Sequence, residues 1–177
     1  MGQLDDRQIV LVVGQKNYNA EEFDYLFEAL EKEGADISVA SNTLDKALAR
    51  LGGYVAPDCT ISDLSPDDFD AVILLGGYGA RVYLWDDQDT HDMLRRFAEA
   101  NKLIGAVSTA PVALANAGVL ANRKATVFPD YESTLIFSEA GVIHLHDHVV
   151  VDENIITCEH SKFIKEFADA VIEKLKG

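Results

Sequence analysis

Three short runs of uninterrupted apolar residues, at 9–13 (IVLVV), 71–75 (AVILL) and 103–107 (LIGAV), set the fold class. A strand with one wet face alternates polar and apolar residues, whereas a continuous run suits a strand covered on both faces. Helical patterns separate these runs. Residues 19–33 place Phe23, Leu26, Phe27 and Leu30 on one face and end at Gly34, a natural helix stop. Residues 89–101, 111–117 and 161–176 also read as helices, the last with Phe163, Phe167, Val171 and Leu175 inward. A second short strand is expected at 37–40, a short helix at 43–51 and irregular chain at 57–66. Near the end, residues 125–128 form a short strand before Pro129, and 142–151 with 154–158 read as a hairpin around Asp152-Glu153. Strand–helix alternation of this kind predicts an α/β chain, a mostly parallel sheet with helices on both faces, in a single domain over residues 1–177.

Charge and cysteine content exclude several functions. The 177 residues include 15 basic and 30 acidic side chains, a net charge of −15. Such a surface repels phosphate backbones and anionic bilayers, so neither nucleic acid nor membrane is an expected partner. Two isolated cysteines, Cys59 and Cys158, make neither a disulfide framework nor a zinc ribbon. The polar, acidic start of the chain is unlike a signal peptide, and a cytoplasmic location is expected. Residues 103–122 carry no charge but hold Gly105, Ser108, Thr109, Pro111, Asn116 and Gly118, which suit a strand, a turn and a short helix better than a membrane span.

In a parallel α/β sheet, sites form at the carboxyl ends of the strands. Segments 14–22, 76–80 and 107–111 sit there and are placed to converge. Ser108 falls between a buried strand and a helix start, where a sharp turn exposes a nucleophile. Ala106 and Ala110 occupy the places where a G-x-S-x-G elbow has glycines, and Ser108 or Thr109 could equally cap the helix that opens at Pro111. Glu22, three residues after Asn19, either closes a capping box or aims its carboxyl across the crevice at position 108. Gly76-Gly77-Tyr78-Gly79 does not form a dinucleotide fingerprint; it lets backbone approach a ligand and can offer an N–H to an oxyanion, or it is only a tight turn. His144, His146 and His148 alternate and would share a strand face, as metal ligands, as an exposed face or as an oligomer contact. His91 and His160 have no evident partner. Neither Cys59 nor Cys158 is expected near the crevice.

Several stretches together resemble the ThiJ/PfpI (DJ-one-like) superfamily: the opening strand with Glu22 twelve residues before Gly34, AVILLGGYG at 71–79, LIGAVSTAPVALANAGVL at 103–120, KATVFP at 124–129 and VVVDENIIT at 149–157. The resemblance spans nearly the whole chain. It implies a flavodoxin-like three-layer sandwich, a homodimer and a nucleophile elbow bearing a reactive cysteine contacted by a protonated glutamate. Carried over by residue, the glutamate is Glu22, the oxyanion N–H groups are those of Gly77 and Thr109, and the nucleophile position is Ser108. Gly76, Tyr78, Tyr18 and Asn19 are then expected to contact substrate. No cofactor and no metal are implied.

The chain departs from that pattern at the central atom. Serine stands where the superfamily has cysteine, Thr109 where peptidase-like members have histidine, and Phe128 where DJ-one-like members have histidine. A thiol at a helix start ionises near neutral pH; a hydroxyl needs a base. The implied chemistry is cofactor-free, glyoxalase- or deglycase-like action on a small-molecule carbonyl substrate, methylglyoxal going to lactate, for a form with cysteine at the elbow. With serine, three accounts stay open: an engineered exchange that silences the site, a natural non-catalytic member, or a serine served by an unrecognised base. The alternatives in function are a stress-response, chaperone-like or ligand-binding dimer, and a hydrolase of the isocyanide hydratase or amidase type.

Overall fold

The computed structural model describes residues 2–177. The first apolar run forms β1 (Gln8–Val12), followed by β2 (Lys16–Tyr18), α1 (Ala20–Lys32) and β3 (Asp36–Ser41). Next come β4 (Ala47–Ala49), β5 (Tyr54–Val55), β6 (Cys59–Thr60), β7 (Ala71–Leu74), α2 (Tyr78–Tyr83), α3 (Gln88–Glu99), β8 (Leu103–Val107) and α4 (Pro111–Asn116). The chain closes with β9 (Lys124–Ala125), α5 (Tyr131–Glu139), β10 (Ile143–His144), β11 (Val149–Asp152), β12 (Ile155–Cys158) and α6 (Ile164–Leu175).

Seven strands form the main sheet in the order β11-β12-β8-β7-β1-β3-β6, and β11 alone is antiparallel. Alternation along β1 divides the core. Val10 and Val12 face a layer containing Met93, Leu94, Phe97, Leu114 and Phe137 from α3, α4 and α5. Ile9 and Leu11 face Leu26, Leu30, Phe167 and Val171 from α1 and α6. The expected three-layer sandwich with helices on both faces is therefore present. Gly105 in β8 allows this closeness on the α6 side: a Cβ there would lie 2.8 Å from Cζ of Phe167.

Chain order runs from β1 outward through β3 to β6, then returns to β7 on the other side of β1. That reversal opens a crevice at the carboxyl ends of β1 and β7, the general place for a ligand in such sheets. The segment expected as a helix at 43–51 instead contains β4, which pairs with β2 and β5 in a small three-stranded sheet beside the crevice. The hairpin is shorter than expected: β11 pairs with β12, while β10 leaves to pair with β9. The histidines thus do not share one strand. The His144 and His146 rings lie 4.5 Å apart, whereas His148 stacks on Phe163 at 3.5 Å. Among the described residues no three His, Cys, Asp or Glu side chains gather as a metal site, and no helix is long and apolar enough to cross a membrane.

Candidate active site

The three expected segments meet at the switch point. Ser108 directly follows β8 with φ of +60°, a left-handed conformation that costs a residue with a Cβ of order 1 kcal/mol. Its backbone is held on both sides. The Ser108 N–H donates to the Cys158 carbonyl at 2.8 Å, and its carbonyl accepts the Phe128 N–H at 2.8 Å. This is a tight corner between strand and helix; the capping alternative is not seen, since α4 has Ala110 as N-cap with no side-chain hydrogen bond.

Glu22 lies under that elbow. Asn19 caps α1 by accepting the Glu22 N–H at 3.1 Å, but the Glu22 carboxyl does not reach back to complete a capping box. Its Oε2 accepts the Gly76 N–H at 2.7 Å instead, and Oε1 is buried with no hydrogen-bond partner. The crowding is severe. A Cβ on Gly76 would lie 2.8 Å from Ser108 Cβ and 3.2 Å from Glu22 Oε1. Glu22 is fully buried, and burial pushes its pKa up to about 8, against the Gly76 N–H that favours the anion and with a smaller push from Glu21. At neutral pH the carboxyl is mainly protonated, and Oε1 is its end left without a partner.

Two backbone donors face the same space. Among the described residues, the N–H groups of Gly77 and Thr109 donate to no protein acceptor. Gly77 has φ of +92°, open to glycine, and a Cβ there would stand 3.0 Å from Asn17 O and Asn19 N. The Thr109 hydroxyl donates to the Gly77 carbonyl at 3.0 Å, so a side chain ties the two donor segments together. Trp85 adds a second tie, its indole N–H donating to the Thr109 carbonyl at 2.8 Å. The Trp85 carbonyl is bound by His91 Nε2 at 2.7 Å and by Asn116 Nδ2 at 2.9 Å, and Arg81 stacks on the Trp85 ring at 4.3 Å while pairing with Glu132. His91, without an evident partner in the sequence, is part of this brace.

The remaining expected residues divide. Asn19 and Gly77 line a cavity of about 220 Å³ beside the elbow, together with Asn17, Glu21, Arg50 and Leu51. Tyr78 opens α2 half exposed. Tyr18 is buried and packs edge-on against Phe23, so its ring supports α1 instead of walling the cavity.

Cys158 corrects an expectation. Because β12 lies next to β8, Cys158 flanks the elbow through its carbonyl. Its thiol is buried, donates to the His160 carbonyl at 3.3 Å and is pushed up to about 12, chiefly by burial and secondarily by carboxylates that include Glu22. It is no thiolate at neutral pH. His160 also stands near the elbow, its ring 5.5 Å from that of Phe128. Its Nδ1 accepts the Lys162 N–H at 3.0 Å, which leaves the neutral ring's proton on Nε2 and makes that edge a donor, not a base. Sequence order separates Cys158 and His160 from Ser108; only the strand order brings them together.

Comparison with known proteins agrees with this architecture. The profile described as the DJ-1/PfpI family matches residues 7–174. An uncharacterised protein of Methanocaldococcus jannaschii is 31% identical over 173 residues, covering 98% of this chain and 84% of its own. The protein named deglycase PfpI of Pyrococcus furiosus is 29% identical, covering 85% of this chain and 89% of its own. Among solved structures, a ThiJ/PfpI domain protein from Brachyspira murdochii superposes with a TM-score of 0.90 at 27% identity, covering 97% of each chain.

Proposed function

This chain belongs to the DJ-1/PfpI family, and from that premise we propose that its crevice is built for cofactor-free, glyoxalase- or deglycase-like chemistry on small reactive carbonyls. The observation that carries this reading is the packing of one neutral, buried carboxyl, Glu22, beneath the elbow residue Ser108, next to two unspent N–H groups. Proteins named as deglycases among the relatives, at 29–30% identity, support the same class.

The chemistry follows from the parts. With cysteine at 108, the thiolate sulfur bonds to the aldehyde carbon of methylglyoxal, and the carbonyl oxygen becomes an oxyanion. The Gly77 and Thr109 N–H groups hold that oxygen until Glu22 supplies a proton, giving a hemithioacetal. Glu22, now a carboxylate, takes the proton from the former aldehyde carbon and returns it to the neighbouring ketone carbon, while the hydroxyl proton on the first carbon passes to the oxygen of the second. The product is a lactoyl thioester. Water breaks its carbon–sulfur bond, releasing lactate and restoring the thiol. Methylglyoxal plus water becomes lactate and a proton, and no outside electron donor or acceptor is consumed.

Serine stops this sequence at its first step. Its hydroxyl must lose a proton to attack, a protonated Glu22 donates instead of accepting, and His160 Nδ1 is engaged. The chain with Ser108 is therefore a binder of carbonyl compounds with little or no turnover, and the serine itself favours a ligand-binding role as the second reading.

The test is methylglyoxal consumption and lactate formation by this chain and its Ser108→Cys variant, side by side. The cysteine form is expected to turn over at least a hundredfold faster. Absence of turnover in both sinks the carbonyl reading. Comparable turnover in both refutes the account of the serine.

A further inference from the structure

The cavity beside the elbow is lined by Arg50, an exposed arginine whose guanidinium makes no ion pair or hydrogen bond among the described residues. The chain has six arginines. Arg7 pairs with Asp70, Arg81 with Asp130 and Glu132, Arg95 with Asp92, and Arg123 with Asp152. Arg96 donates to the Asp92 carbonyl. Among the described residues, the Arg50 guanidinium alone meets no carboxylate, carbonyl or ring. In a chain with a net charge of −15, carboxylates to pair with are abundant, so an unpaired guanidinium at the rim of the candidate site is informative.

Its placement is built into the fold. Arg50 follows β4, and its N–H donates to the Tyr18 carbonyl at 3.1 Å, so the small sheet fixes its backbone beside the end of β2. Across the cavity stand Asn19 and Gly77. The Asn19 Oδ1 is spent on capping α1, while its Nδ2 donates to no group among the described residues. The guanidinium of Arg50 and the side-chain amide of Asn19, two residues lining about 220 Å³, form a donor set that matches an anion. Glu21 lines the same cavity but lies beyond ion-pair distance of Arg50, and its charge sets a limit on anion affinity.

We propose that this cavity is the subsite for an anionic group of the substrate, a carboxylate or a phosphate, so that the preferred carbonyl compounds are α-oxoaldehydes bearing such a group. This rests on the carbonyl reading above and narrows it. Gly77 belongs to both places, so a ligand seated at Arg50 extends its reactive end toward Ser108. The Arg50 fork then selects by charge, and the elbow acts on the aldehyde.

Two measurements test this and fail separately. The first is titration of the Ser108 chain with inorganic phosphate and with acetate, followed by NMR. Arg50→Gln is expected to weaken the tighter of the two by about tenfold or more, Arg50→Lys by less, and Glu21→Gln to strengthen it. The second uses the Ser108→Cys protein with methylglyoxal, dioxovalerate and hydroxypyruvaldehyde phosphate. Arg50→Gln is expected to lower kcat/KM for the anionic substrates at least tenfold more than for methylglyoxal, and the more affected of the two names the headgroup. An equal loss on all three substrates overturns the subsite. So does anion binding that is indifferent to Arg50. If none of the three is turned over, the carbonyl reading falls, and the titration alone decides whether Arg50 receives anions.

Discussion

Replacing Glu22 with glutamine isolates the most unusual group in the molecule. Glutamine keeps an oxygen to accept the Gly76 N–H, bonded at 2.7 Å, and puts an NH2 where the protonated carboxyl has Oε1. It is the neutral state of Glu22 made permanent. The folded carboxyl has its pKa raised from an ordinary 4.5 to about 8, so between those values the folded chain holds a proton that the unfolded chain has lost. Stability linked to this group is complete below about pH 4.5 and is lost as pH rises toward 8, at close to 1.4 kcal/mol per pH unit. Between pH 5 and 7 the loss is about 2 to 3 kcal/mol, with roughly 1 kcal/mol more by pH 9. Urea denaturation of both proteins at matched ionic strength from pH 5 to 9 reads this directly. The carboxylates and histidines they share cancel in the difference. Glu22→Gln is expected to gain on the parent steadily up to pH 8 and then level off. Parallel curves would mean that Glu22 is ionised in the fold, and the assignment of a proton donor beneath Ser108 would fail with it.

Two further substitutions probe the scaffold. Trp85→Phe keeps an aromatic ring under Arg81 and removes the 2.8 Å bond to the Thr109 carbonyl. Unfolding free energy should drop by about 1 kcal/mol, and in the Ser108→Cys background kcat should fall several-fold with KM little changed, because the oxyanion donors loosen. Gly105→Ala places a methyl 2.8 Å from Phe167 Cζ and should cost about 1–3 kcal/mol in urea denaturation. Adding Phe167→Leu should recover part of that, since α6 then no longer meets the methyl with a ring edge.

Much of the sheet was legible because buried parallel strands leave an unmistakable mark. The apolar runs at 9–13, 71–75 and 103–107 became β1, β7 and β8, and their ends framed the crevice. Ala47–Ala49 misled because alanine and leucine between lysine and arginine favour a helix locally; pairing with β2 and β5 overrides that preference. The helix at Tyr131–Glu139 left little periodic signal, since only Ser133 and Phe137 are buried, and its one clear cue is Asp130 as N-cap. Glu22 could not be settled from spacing, because Asn19 caps α1 whether or not the carboxyl turns back. Cys158 is not expected near the crevice, and His160 shows no partner, because chain order conceals that β12 inserts beside β8.

Ser108 carries one more consequence, for how such a chain drifts over generations. Its left-handed backbone at φ of +60° is tolerated by serine at a cost that glycine avoids. For a lineage with no use for a side chain at this corner, glycine is a stabilising replacement. A serine that persists there is held against the gradient of stability, so the residue at 108 records whether selection still acts on the crevice.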